Sequence, residues 1–176
     1  VKTRYEANLA DEETIVDVPN AAGLPTGSTG LVDVDDITRY GVEAAYSTGP
    51  LSLQTEYLQA QVKSELAGDP EFGGYYVMAS YFLTGESRPY RASNGTFDRI
   101  KPTGNNGAWE VAARYSNLEG ESDTLVKREI KNMTLGLNYY INPQMRIMAN
   151  LIKSDIDAGA RQGEPKTLAF RVQYDF

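Results

Sequence analysis

Eight stretches of about ten to twelve residues, at 1–10, 37–48, 51–62, 73–84, 107–118, 130–141, 144–155 and 167–176, alternate between an apolar or aromatic side chain and a polar or small one. A period of two gives a strand two different faces. On a helix, residues i and i+2 lie about 200° apart and such faces would scatter. In 37–48 the alternation sets Tyr40, Val42, Ala44 and Tyr46 against Arg39, Gly41, Glu43, Ala45 and Ser47. Gly49 and Pro50 then supply a turn, and Leu51, Leu53, Thr55 and Tyr57 return opposite Ser52, Gln54 and Glu56. The chain is therefore expected to be all-β and built of antiparallel hairpins.

A spanning helix would need roughly 18 consecutive apolar residues, and no such run exists in a sequence whose mean hydropathy is -0.44. A membrane strand needs only about 9 to 11 residues, of which every second one is apolar. The alternating segments meet that demand, and 12 Tyr with 16 Gly suit half-exposed strands and tight turns better than a thick core. The connections also alternate in length. Those at Gly49-Pro50 and Asn142-Pro143 are minimal, whereas 11–36, 63–72, 119–129 and 156–166 are long and polar. Short turns on one rim and long loops on the other describe an outer-membrane barrel, with the short turns facing the periplasm. Residues 85–106 break this rule, being long on the short-turn rim, and are expected to fold inward or to dock.

Composition closes several routes. Without Cys there is neither disulfide nor thiol chemistry, and without His the chain lacks the usual general base, so Ser/His and Cys/His nucleophiles are excluded. The expectation is no enzyme. A net charge of -7 argues against nucleic acid, which demands clustered cations. The acidic run Asp33 to Asp36 matches no calcium-loop spacing, so it is taken as a solvated loop, with no metal and no cofactor.

Strand parity then assigns the two faces. Outward lie aromatic pairs six residues apart, Tyr40 with Tyr46, Tyr75 with Tyr81 and Trp109 with Tyr115, which are expected at the membrane interfaces. Inward lie Lys2, Arg4, Arg39, Arg114, Arg146 and Arg171, interleaved with Glu6, Glu43, Glu56, Glu110 and Asp175. Arg4, Arg39, Arg114, Arg146, Arg171, Glu43 and Glu110 are the candidate pore-lining set. Two readings of it stay open: charges that pair across strands, or a path for anions, to which the planar guanidinium is suited by its paired donors.

The stretches GYYVMASYFLTGESRPY at 74–90, GAWEVAARYSNLE at 107–119 and LGLNYYINPQMRIMANLIKSD at 135–155, with the closing FRVQYDF, resemble the C-terminal part of the phosphate-selective porin O/P family. The resemblance implies a 16-stranded antiparallel transmembrane barrel, of which about eight strands would be the C-terminal half. It also implies an outer-membrane homotrimer that passes small anions, phosphate included, through a channel lined by Arg and Lys. No phosphate-site residue is carried over, because the family's selectivity residues lie largely in strands and a loop with no counterpart identified here. Phe176, a terminal aromatic on the outward face, resembles the signal read by the barrel assembly machinery. That marks this end as the C-terminus, so any missing strands would precede Val1, which is not an initiator Met. The alternatives are a small closed eight-stranded membrane barrel with a structural or adhesive role, and a soluble lipocalin-like barrel with its apolar face inside.

Overall fold

A computed structural model describes residues 34–64, 68–91, 93, 96–122, 125–158 and 161–176. The strand expected over 1–10, with Arg4, and the acidic loop that follows it lie outside the described residues up to Ala10 and Asp33 respectively. In chain order the strands are β1 (Asp36–Thr48), β2 (Leu51–Lys63), β3 (Glu71–Phe82), β4 (Tyr90–Arg91), β5 (Thr96–Phe97), β6 (Ala108–Ser122), β7 (Leu125–Tyr140), β8 (Met145–Ala158), β9 (Arg161–Gly163) and β10 (Lys166–Tyr174). One antiparallel sheet runs β1-β2-β3-β6-β7-β8-β10, with β9 also on β8, while β4 and β5 form a separate small hairpin. β9 and β10 continue one line along β8, and a bond from Ser154 N–H to the Pro165 carbonyl (3.0 Å) carries the ladder across the break. Among the described residues, β1 and β10 are each paired along one edge only.

The register keeps parity intact from strand to strand. Val42 faces Tyr57, Tyr57 faces Tyr75, Val77 faces Tyr115, Ala113 faces Leu135, Leu135 faces Leu151 and Leu151 faces Leu168. One face of the sheet consequently carries the apolar and aromatic rows of these strands, and it is exposed: Val42 by 71%, Phe170 by 73%. The other face holds Ser52, Ser80, Glu110, Asn132 and Ser154, all buried. This distribution is the reverse of a lipocalin-like barrel, whose apolar face would be enclosed.

Two connections are shorter than the sequence suggests. β6 and β7 extend through most of the expected loop 119–129, because Gly120 pairs with Arg128 and Glu119 forms an ion pair with Lys127 (2.7 Å), so the hairpin zips on past the apolar rows. Within the expected loop 156–166, β9 resumes pairing with Ile156, Asp157 and Ala158. The tight turns behave as their residues demand. Gly49 takes a φ of 51° between β1 and β2, and the Asn142 carboxamide oxygen accepts from the N–H of Gln144 (2.9 Å) and of Met145 (2.8 Å) between β7 and β8.

Candidate functional site

The segment between β3 and β6 leaves and rejoins the wall at two left-handed glycines, Gly85 with φ 89° and Gly107 with φ 73°. At Gly107 a Cβ would meet the Tyr140 carbonyl oxygen at 2.5 Å and the Tyr139 ring at 2.8 Å, so glycine is required on both conformational and steric grounds. Between these points the chain folds against the inner face. Ile100 packs with Phe82, Ala108 and Tyr140 in a small core, and the tip is closed by Tyr90 edge-on to Phe97 at 5.4 Å. The inward-folding alternative for 85–106 is the one the structure adopts.

Two carboxylates hold the segment. Glu86, itself part of it, accepts from the Thr103 N–H (3.1 Å) and hydroxyl (2.9 Å) and from the Thr84 hydroxyl, and the Thr84 oxygen in turn accepts from the Trp109 N–H (3.0 Å). Burial pushes the Glu86 carboxyl up, but these hydrogen bonds outweigh it and hold it below the ordinary carboxylate range. Glu110, on the wall, is wholly buried. It pairs with Arg88 through one oxygen, and through the other accepts from the Asn138 amide (2.9 Å) and the Tyr140 hydroxyl (2.8 Å).

The remaining inward charges divide by height. Nearer the long-loop rim, Arg39, Glu56, Tyr76 and Arg114 share a concavity of about 600 Å³, with the Arg114 guanidinium 4.5 Å above the Tyr76 ring. Glu43 stands directly opposite Glu56 on the neighbouring strand and is exposed. Nearer the short-turn rim, Arg88, Arg99 and Arg146 line a smaller hollow of about 230 Å³ with Asp98 and Asp175. Arg146 donates twice to the Gln173 side-chain oxygen (2.7 and 3.1 Å), and Arg171 is exposed on β10. Among the described residues, no group of three or more Asp or Glu is placed to hold a metal ion.

On the outer face the aromatics make two rows. Tyr40, Tyr57, Tyr75 and Tyr115 lie toward the long loops, with ring centroids at 6.5 Å for Tyr40–Tyr57 and 6.1 Å for Tyr75–Tyr115. Tyr46, Tyr81, Trp109, Tyr139 and Tyr174 lie toward the short turns, with Trp109 stacked on Tyr139 at 4.4 Å. Val42, Leu53, Val77, Val111, Leu135 and Leu151 fill the band between them, and Phe176 is fully exposed beyond Tyr174.

A continuous lipid-compatible band on one face, a charged and polar set on the other and a segment folded against that second face suit a membrane-barrel wall, and comparison with known proteins places them. The family described as phosphate-selective porin O and P matches residues 23–176. Porin O of Pseudomonas aeruginosa is 38% identical over 147 residues, covering 77% of this chain and 33% of that protein. An uncharacterized protein of Caulobacter vibrioides is 29% identical over 128 residues, covering 63% of this chain and 26% of that protein. The chain belongs to the phosphate-selective porin O and P family. It is a bacterial outer-membrane protein. This porin chain spans about a third or less of the length of the curated relatives it matches.

Within the porin wall, parity reading places Arg39, Arg114, Arg146, Arg171, Glu43 and Glu110 on one face, but they are not one cluster, and Glu110 is sealed beneath the inward segment. Arg88, Glu86 and Thr103 lie outside the alternating strands and escape parity, while Asn138 and Tyr140 are in phase with the inward positions of 130–141 but, carrying no charge, are not singled out by it. The available signal was the length of 85–106 on the wrong rim, together with the apolar Tyr90, Phe97 and Ile100 in an otherwise polar stretch.

Proposed function

We propose that this chain forms part of the wall of a water-filled porin channel for passive passage of small solutes, chiefly anions including phosphate. The observation that carries the reading is the inner face itself, where Arg39, Arg114, Arg146 and Arg171 stand on β1, β6, β8 and β10 of one sheet while the inward carboxylate Glu110 is covered. Fixed guanidinium groups stay charged at every relevant pH and replace part of an anion's hydration as it passes. The family's description and the name of the Pseudomonas relative support the solute class. Arg99 and Arg146, at the hollow beside the short turns, extend the cationic lining to that mouth.

The two outer aromatic rows serve as the girdles at the membrane interfaces, since tyrosine and tryptophan rings sit at the headgroup level. Phe176, with Tyr174 and Val172 before it on the outward face, serves as the assembly signal, and the working assembly is a homotrimer. In the intact polypeptide, reconstituted in a planar bilayer under a salt gradient, replacing Arg114, Arg146 and Arg171 together by Ala shifts the reversal potential toward cation preference. An unchanged reversal potential removes these residues from the conduction path.

A further inference from the structure

We propose that Glu110 is a positioning residue: acting through Arg88, it clamps the 85–106 segment to the wall and so fixes the cross-section of the channel. The proposal rests on the porin reading for its consequence, but the clamp itself is a matter of geometry. Glu110 has no exposed surface, and it takes its place in β6 between Phe82 on β3 and Asn138 on β7. A carboxylate in such a position is tolerated only when its charge is matched and its lone pairs are filled. Here the wall supplies two neutral donors, Asn138 and Tyr140, and the charge is matched from the segment alone, by Arg88.

The dependence is mutual. The Arg88 guanidinium lies between the rings of Phe82 and Phe97, 5.7 Å from each centroid, so one flank rests on the wall and the other on the segment's own hairpin. Its Nε is buried without a hydrogen-bond partner, and its compensation comes through the pair with Glu110. The Arg88 carbonyl also accepts from the Ser47 hydroxyl of β1 (3.1 Å), which ties the same residue to a strand two places further round. Arg88 is thus the point where the segment touches β1, β3, β6 and, through Tyr140, β7. Releasing it frees the Tyr90–Phe97 hairpin while leaving the glycine ends attached.

A role in position differs from a role in conduction in a way that paired variants expose. Glu110→Gln strands the Arg88 charge, Arg88→Met strands the Glu110 charge, and Glu110→Gln with Arg88→Met strands neither. Each is made in the intact polypeptide and read in two ways: trypsin cleavage after Arg91 and Arg99 in the folded protein, and the spread of open-channel current in a bilayer. Either single variant is expected to be cut at least tenfold faster than the parent and to conduct with a broadened, flickering open level. The double variant is expected to recover most of the protection and a single open level. Parent-like protection in the single variants, or a double variant as exposed as either of them, overturns the clamp. If Glu110→Gln does not assemble, Arg88→Met alone decides it, because Arg88 lies outside the membrane strands. A protein that never conducts yet shows the trypsin pattern overturns the porin reading and leaves the clamp standing.

Discussion

Glu43 and Glu110 occupy the same face of the same sheet, yet one is exposed and directly opposes another carboxylate, Glu56, while the other is wholly buried in an ion pair with Arg88. Strand parity treats them alike. The difference comes from what covers each: Glu43 lies on β1, which among the described residues is paired along one edge only, and Glu110 lies on β6 beneath the 85–106 segment. A carboxylate facing water keeps its hydration, whereas one facing Arg88 is part of the protein's interior.

That contrast is broken most directly by removing each carboxylate in turn. Glu110→Ala leaves a buried guanidinium without its counter-charge and is expected to lower unfolding stability by about 3–5 kcal/mol. Glu43→Ala is expected to stay within about ±0.5 kcal/mol, with relief of the Glu43–Glu56 opposition favouring the variant. Denaturant unfolding of the two proteins in the same detergent checks this. Equal effects would mean that the segment does not distinguish the two halves of the inner face.

A smaller effect is expected where the segment rejoins the wall. Gly107→Ala must hold a side chain at φ 73° and push against the Tyr140 carbonyl oxygen, whereas Gly104→Ala, in the same segment, meets nothing within 4 Å. The left-handed conformation costs a non-glycine residue about 1–3 kcal/mol, with the clash adding to it, so Gly107→Ala should fall in or above that range and Gly104→Ala should be near neutral. The same unfolding measurement ranks them, and a neutral Gly107→Ala would show that the junction can shift without loss.

The outer face was legible in the sequence because lipid imposes one rule on every strand. Tyr40, Val77, Leu135 and Phe170 need only be apolar at every second position, and the ladder carries that parity across the apolar rows of the sheet, its shift between Gly120 and Ser122 lying beyond them. The inner face obeys no single rule. Arg39 and Arg146 can be assigned to it by counting, but their surroundings depend on groups far away in sequence, such as Gln173 for Arg146 and Glu56 for Arg39. The clamp was hidden for the same reason. Arg88 and Glu110 are 22 residues apart, in a loop and a strand, and nothing in their local pattern requires that they meet. What could be read was the anomaly, a long segment where a short turn belongs. Its cause was a cluster of Phe82, Ile100 and Tyr140 that exists only after folding. The hairpin of β6 and β7 misled differently, since a polar stretch reads as loop even when cross-strand ion pairs such as Glu119 with Lys127 extend it as strand.

The smallest effect expected separates the segment's two carboxylate anchors by pH. Glu86 holds the base of the segment through Thr84 and Thr103, and its carboxyl is kept below its ordinary value near 4.5. A carboxyl depressed in the folded state binds its proton less readily there than in the unfolded chain. It therefore contributes stability above the ordinary value, and loses it as pH falls through the folded value. Acidification should thus loosen 85–106 while the wall strands hold. Glu86→Gln lacks the titrating group, so its segment should be less protected at neutral pH and should not loosen further over the carboxylate range. Hydrogen exchange followed by mass spectrometry, taken as the ratio of parent to variant at each pH, removes the intrinsic pH dependence of exchange. The ratio over 85–106 is expected to depart from one at neutral pH and to approach one on acidification. A ratio that stays constant with pH would assign the acid response of the segment to some group other than Glu86.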